Sequence, residues 1–345
     1  MQFDFTIRTI VEKNTKTMLK RKALVTGGAG FIGSHLCEKL LAEGFGVLAM
    51  DNLSTGSRQN IQGLLKIPDF AFEVGNITDR NQMKLLISQC DIVYHLAAAV
   101  GVSLVLEKPI ECMKTNIHGT EIILELCSEL SKPVFIASSS EVYGKGTKVP
   151  FNESDDTLSG PTETTRWSYA SSKAVDEFMA LAYHREKGLS VIVARFFNTV
   201  GPRQSAQYGM VIPRLVKQAV SGEPMTVYGN GDQTRTFNHV LDTIDATYRL
   251  CGDANAAGKV FNIGGLTEIS IRKLAGKIKA RANSTSSIVL VPYEKVYRDG
   301  AFEDMPRRVP DLTRLTQQIG YKPRHSLDDI IDQVIHHETS RMALV

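Results

Sequence analysis

The sequence is poor in the features that mark several functional classes. Five cysteines among 345 residues, Cys37, Cys90, Cys112, Cys127 and Cys251, are odd in number and widely separated, with no CxxC pair and no Cys/His ligand spacing. Neither a disulfide framework nor a zinc site follows, and the thiols are expected to be buried in a reducing, cytoplasmic setting. A dominant charge is missing too. With 40 basic against 37 acidic residues the net charge is +3 and evenly spread, which argues against nucleic acid or a membrane surface as the partner and for a small molecule. No apolar run reaches the ~20 residues of a membrane span, and the opening MQFDFTIRTIVEKNTKTMLKRK lacks a signal peptide's uninterrupted apolar core. Residues 1–21 read as an extra arm without fixed structure. None of His95, His239, His336 and His337 stands in an HExxH or comparable ligand pattern, so no metal is expected.

What is present is alternation. KALVTG, GVLAMD, FAFEV, DIVYHLAA, PVFIASS and LSVIVARF are short apolar runs of buried-strand type, and between most of them lie stretches with helical spacing such as HLCEKLLAEG and TEIILELCSEL. This order predicts an α/β protein with a Rossmann-like, doubly wound parallel sheet over residues 22–197. Beyond Asn198 the rhythm loosens into GMVIPRLVKQAV, EPMTVYG, KVFNIGG and IRKLAGKIKA. Residues 198–345 are expected to be mainly a smaller, mixed α/β substrate lobe, interleaved with the first and packed over the carboxyl ends of its strands.

In LVTGGAGFIGSHLCEKLL the glycines Gly27, Gly30 and Gly33 follow a strand and open a helix. That arrangement lets the backbone turn tightly, approach a pyrophosphate and aim a helix amino terminus at its charge. The second strand ends in Asp51, placed to accept hydrogen bonds from an adenosine ribose and to repel a 2′-phosphate, which favours NAD over NADP. Asn76, after the third strand, offers donors and an acceptor to a base edge, or simply closes an Asx turn. In WSYASSK, Tyr169 and Lys173 are four residues apart, one helical turn, so the ammonium can lower the pKa of a phenol normally near ~10. Alone, this pair reads rather as a buried tyrosine beside a snorkelling lysine; the glycine turn, the serine-rich strand end and the order of the motifs reverse that reading.

TGGAGFIG, DNLSTG, YHLAA, SSSEVYG, YxxxK and RFFNTVGPRQ, in this order, resemble the extended short-chain dehydrogenase/reductase family of NAD-dependent nucleotide-sugar epimerases, dehydratases and decarboxylases. The resemblance runs from residue 22 to about 335. It implies NAD contacts from Gly27, Gly30, Phe31, Ile32 and Gly33 of the turn and from Asp51, Asn52, Ser54, Thr55 and Gly56 of DNLSTG. Asn76, Ile77, Leu96, Ala97, Ala98 and Asn116 would complete the cofactor site, with Tyr169 and Lys173. It implies that Ser139 and Tyr169 share the sugar's C4 hydroxyl, that Tyr169 removes its proton as hydride leaves C4, and that Lys173 holds ribose and phenolate. Ser140, Asn198, Arg203, Val227, Tyr228, Arg235 and Arg308 would hold a nucleoside-diphosphate sugar, with uracil as the base, and two copies would pair as a homodimer through the helices near 115–130 and 167–187.

A 4-keto sugar leads to epimerisation, dehydration or decarboxylation. Dehydratases of the family carry Asp-Glu where this sequence has Ser140-Glu141, whereas Ser-Glu is similar to the UDP-glucuronate decarboxylases, whose RKPD-like segment RRVPD also resembles. The resemblance therefore implies UDP-glucuronate decarboxylation with Glu141 in a catalytic role. A UDP-sugar 4-epimerase, a C5,C6-dehydratase and a silent NAD-binding regulator are the alternatives, and PTETTRW before Tyr169 fits no single subfamily.

Overall fold

The computed structural model describes residues 20–206, 210–296 and 305–343; the expected arm, residues 1–21, lies outside them except for its last two residues. The six apolar runs all become strands: β1 (Lys22–Thr26), β2 (Gly46–Asp51), β3 (Phe70–Val74), β4 (Ile92–His95), β5 (Val134–Ser139) and β6 (Val191–Phe196). Helices α1 (Phe31–Ala42), α2 (Arg80–Ser88), α3 (Val102–Glu107), α4 (Pro109–Met113), α5 (Gly119–Glu129) and α6 (Trp167–Lys187) intervene. Successive side chains in β1 feed opposite layers: Ala23 and Val25 pack with Leu36 and Leu40 of α1, while Leu24 packs with Met83 of α2 and Ile123 of α5. A strand covered on both faces must be apolar throughout, which is why the five runs other than the half-exposed edge strand β3 show no alternation.

The remaining elements are β7 (Thr199–Val200), α7 (Val211–Val220), β8 (Met225–Tyr228), β9 (Thr234–Thr236), β10 (Asn238–His239), α8 (Val240–Cys251), β11 (Lys259–Ile263), β12 (Glu268–Ser270), α9 (Ile271–Arg281), β13 (Ile288–Val291), α10 (Tyr293–Val296), β14 (Arg307–Arg308), α11 (Thr313–Ile319) and α12 (Leu327–Met342). KVFNIGG, expected in the smaller lobe, instead supplies β11, which pairs in parallel with β6 and gives a seven-stranded sheet of order β11-β6-β5-β4-β1-β2-β3. Val240, Ile244 and Leu250 of α8 join the same core as α1. The smaller lobe has its own core, where Leu215 of α7, Val227 of β8, Leu274 of α9 and Ile331 of α12 meet.

The strand order reverses between β1 and β4, whose ends are in register at Thr26 and His95. Such a switch point opens a crevice at the strands' carboxyl ends. Behind it lies a buried ionic lock: Arg195 of β6 makes a two-pronged contact to Glu177 of α6, with Nη2 to Oε2 at 2.7 Å, and Ser138 Oγ donates to Glu177 Oε1 at 2.5 Å. The Arg195 guanidinium also lies 4.7 Å from the centre of the Tyr143 ring. The ends of β5 and β6 are thereby tied to α6, the helix that carries Tyr169. Removing one partner of a buried pair leaves an uncompensated charge, so Arg195→Met should lower the unfolding free energy by about 3–5 kcal/mol. Urea denaturation measures this; a loss below about 1 kcal/mol, the scale of an exposed pair, would contradict it.

Candidate active site

A cleft of about 570 Å³ runs from the glycine turn after β1 to β9 and β14 of the smaller lobe. At one end Gly27 has φ +71°, and a Cβ there would stand 2.9 Å from Ala97 N; a Cβ on Gly33 would stand 2.1 Å from Gly27 O. Only glycine permits this packing of turn, helix and β4 loop. The amino end of α1 opens onto the cleft through Gly30, Phe31, Ile32 and Gly33. Asp51 Oδ2 accepts from Ala29 N at 3.1 Å and Oδ1 from Leu53 N at 2.7 Å, which aims the carboxylate, and burial pushes its pKa up. A cradle without side chains, a helix amino terminus and an oriented acid match the pyrophosphate and ribose of NAD.

Asn52, Ser54, Thr55, Asn76, Ile77, Leu96, Ala97 and Ala98 also line this end. Asn76 closes an Asx turn, its Oδ1 accepting from Thr78 N at 3.1 Å, and also lines the wall. Two residues expected to contact the cofactor, Asn116 and Gly56, stand behind the cleft lining. Asn116 is buried and braces the β4 loop, accepting from Ala99 N at 2.8 Å, and Gly56 is glycine because a Cβ would meet the Asp51 carboxylate at 2.8 Å.

At the sugar end the three serines of PVFIASSSEVYG divide the work. Ser138 anchors the strand to α6 as described. Ser139 faces the Tyr169 phenol and draws its pKa down, and it accepts from Glu141 N at 3.2 Å. Ser140 accepts from Arg308 Nη1 at 3.4 Å. Burial pushes the Tyr169 phenol up, Lys173 and Ser139 pull it down and Glu141 pushes it up, with a net rise. The lysine thus acts with the expected sign but is outweighed by burial. Lys173 is itself buried behind the phenol, off the cleft wall, with Nζ 2.9 Å from Asp176 Oδ2.

Glu141 Oε1 lies 2.8 Å from Arg308 Nη1 and Oε2 3.1 Å from Arg166 Nη2. Burial alone would raise this carboxyl, but Arg308, Arg166 and Arg235 outweigh it and hold the pKa at about 2. β14 pairs with β9 in parallel, placing Arg308 opposite Arg235, and both line the cleft. Arg307 points the other way and binds Glu268 at 2.8 Å. Arg166 was missed in the sequence. It stands three residues before Tyr169, hence one turn upstream on the same helix face, and that spacing was the available signal.

Asn198 lines the cleft and donates Nδ2 to Thr236 O at 2.8 Å. Arg203 lines it on the α1 side, held by Ser34 Oγ at 3.2 Å and Glu38 Oε1 at 2.5 Å. Tyr228 also lines the cleft, 4.1 Å from the Arg214 guanidinium, but Val227 is fully buried in the small core. Strand alternation turns Val227 inward with Met225 and leaves Tyr228 on the cleft, so a base contact by the Val227 side chain is corrected. His95 is buried between Thr26 Oγ1 at 2.8 Å and Thr120 Oγ1 at 3.2 Å, and burial lowers its pKa to about 3. Among the described residues no cluster suited to a metal ion occurs.

The family described as GDP-mannose 4,6 dehydratase matches residues 24–334. The chain is 43% identical to a UDP-N-acetyl-alpha-D-glucosaminuronate decarboxylase of Bacillus cytotoxicus, over 92% of this chain and 97% of that protein. It is 33% identical to UDP-glucuronic acid decarboxylase 1 of Xenopus tropicalis, over 92% of this chain and 72% of the other. The fold superposes with TM-score 0.84 at 28% identity on the UDP-glucuronic acid 4-epimerase of Bacillus cereus solved with UDP-glucuronic acid and NAD, covering 93% of this chain and 99% of that one. With the glycine cradle, Asp51 and the Ser139–Tyr169 pair in place, the chain belongs to the GDP-mannose 4,6-dehydratase-like family, NAD-dependent nucleotide-sugar enzymes of the extended short-chain dehydrogenase/reductase class.

Proposed function

We propose that this chain decarboxylates a UDP-linked uronic acid sugar, a 2-acetamido uronate in preference to a 2-hydroxy one. The observation that carries the reading is Arg308. Nine-tenths buried on the cleft wall, it gives one nitrogen to Glu141 and Ser140, and its Nε has no hydrogen-bond partner among the described residues. A guanidinium has five donors in a planar fork suited to carboxylates, so Arg308 can take a second carboxylate beside Glu141. The higher identity to the acetamido-uronate decarboxylase, 43% against 33%, supports the choice at C2.

NAD, when bound, supplies the hydride acceptor and donor for C4. Tyr169 takes the C4 hydroxyl proton while Ser139 holds the oxygen. A ketone at C4 makes the C6 carboxylate that of a β-keto acid. As the C5–C6 bond breaks, negative charge leaves the carboxylate, which departs as neutral carbon dioxide, and builds on the C4 oxygen between Ser139 and Tyr169. Arginines alone would favour the starting charge and slow this step. Glu141, locked ionised beside them, offsets that stabilisation, and the hydrogen bonds at the C4 oxygen then favour the transition state selectively. C5 takes up a proton, and reduction of the ketone leaves a UDP-pentose.

A second reading, 4-epimerisation of the uronate, has the support of the likeness to the UDP-glucuronic acid 4-epimerase. Two further expectations belong to this proposal. Ile110 of α4 and Phe178 of α6 are 72% and 66% exposed, which supports pairing of two copies through the α6 face. Five unpaired thiols, four of them buried, support a reducing, cytoplasmic setting.

Incubation with the two UDP-uronates, read by mass and sugar-proton NMR, should yield a UDP-pentose lacking one carbon dioxide, faster from the acetamido sugar. An unchanged mass with inverted C4 would make the chain an epimerase. Glu141→Gln should lower the rate of carbon dioxide release by about 10²-fold or more without loss of bound NAD. The lowered carboxyl pKa means that the Glu141 charge is complete above the ordinary carboxylate range and fades only as pH falls toward about 2. The loss should therefore be equal at about pH 6 and about pH 9, and a deficit confined to one end of that range would show that Glu141 titrates during turnover. Light scattering should find dimers, and Phe178→Asp should give monomers; a monomeric native chain would exclude the pairing.

A further inference from the structure

Along one face of α6, at spacings of three and four, stand Arg166, Tyr169, Lys173 and Asp176. The first three meet the cleft or its phenol; Asp176 does not. Its side chain is fully buried, that of Lys173 is 3% exposed, and the two ions are 2.9 Å apart. Burying such a pair gives little stability, because an apolar pair of the same volume serves folding as well or better. Folding alone therefore does not account for Asp176.

The chemistry at Tyr169 does. A buried ammonium with no counter-charge gives up its proton, and a neutral lysine would no longer draw the phenol's pKa down. We propose that Asp176 is a positioning residue for proton transfer at Tyr169, which keeps Lys173 protonated and fixes its Nζ one turn behind the phenol. The inference rests on the assignment of Tyr169 and Lys173 to C4 proton transfer and not on which uronate is bound.

The other groups around this pair leave the task to Asp176. From β4, His95 faces Lys173 and is hydrogen-bonded on both ring nitrogens by threonines, so it brings no negative charge. From α5, Thr120 faces the Asp176 carboxylate and brings no charge, while Asp176 Oδ1 has no hydrogen-bond partner among the described residues. Glu177, next on α6, is engaged by Arg195. From the turn after β5, Glu141 faces the phenol but is engaged by Arg166 and Arg308. Asp176 is the carboxylate in direct contact with the ammonium among the described residues.

The test is the pH dependence of kcat and KM for the NAD-loaded enzyme and for Asp176→Asn and Asp176→Glu. Removing an opposite charge at this range shifts an ammonium by about one pH unit or more. The sign is fixed: without Asp176 the lysine loses its proton at lower pH, so the alkaline fall in kcat should move down by about one unit, with KM unchanged. Asp176→Glu should restore the alkaline limb. A uniform loss of kcat at every pH, with the limb unmoved, would overturn the proposal and reduce Asp176 to packing. Should Asp176→Asn fail to fold, thermal melting of Lys173→Met is compared with that of Lys173→Met/Asp176→Asn. The double variant should melt higher, having lost a stranded buried carboxylate, and equal melting would overturn the pairing. If neither uronate loses carbon dioxide, the decarboxylase reading fails. The alkaline limb is then read from NADH absorbance with whichever UDP-sugar reduces the bound cofactor.

Discussion

Everything at the sugar end depends on one carboxylate held by two arginines that reach it from different parts of the chain. Glu141 follows β5, Arg166 opens α6, and Arg308 comes from β14 of the smaller lobe. Their meeting joins the seven-stranded sheet, the helix of Tyr169 and the smaller lobe at one point. The carboxyl is thereby held at about pKa 2, so the site has a permanent negative charge beside permanent positive ones at any physiological pH. A 4,6-dehydratase needs a proton donor toward the C6 oxygen, and a carboxyl held so low is a poor one. A decarboxylase needs a site that admits a carboxylate without holding it too well.

Such a constellation keeps its geometry only on a rigid frame. The frame is polar and buried: Ser138, Glu177 and Arg195 bind the ends of β5 and β6 to α6, while Asn262 of β11 accepts from Tyr143 OH at 2.7 Å through its side-chain oxygen and donates its backbone N–H to Glu153 Oε1 at 2.8 Å. On the cofactor side the frame is mostly backbone, where Gly27 and Gly33 admit close approach and Asp51 orders the loop around it. Behind Tyr169 lies a second buried ion pair, Lys173 with Asp176. Charge pairs here hold chemistry in place rather than stabilise the fold.

How much of this was legible in the sequence follows from the range of each interaction. The inner strands were, because a strand covered on both faces has no polar alternation to hide it, and the exposed edge strand β3 was through its apolar FAF run. The glycine turn, Asp51 and the Tyr169–Lys173 spacing were, because they are local. Arg308 was preferred to Arg307 by motif, and the parallel register with β9 is what turns it inward. Arg166 was overlooked because its value depends on where Glu141 lands, although its spacing to Tyr169 was in plain sight. The side chain of Val227 is not on the cleft, and alternation along MTVY already puts it with Met225 in the core. β11 was placed in the wrong lobe because its partner β6 is distant along the chain, and apolar pattern alone does not choose a sheet.

The most direct measurement is calorimetric binding to the NAD-loaded Tyr169→Phe enzyme, in which chemistry is blocked, of UDP-2-acetamido-2-deoxyglucuronate and UDP-N-acetylglucosamine, which differ only at C6. The expected result is tighter binding of the uronate by about tenfold or more, with the difference abolished in Arg308→Gln. Equal affinity for the two sugars would contradict the assignment of this arginine pocket to a substrate carboxylate.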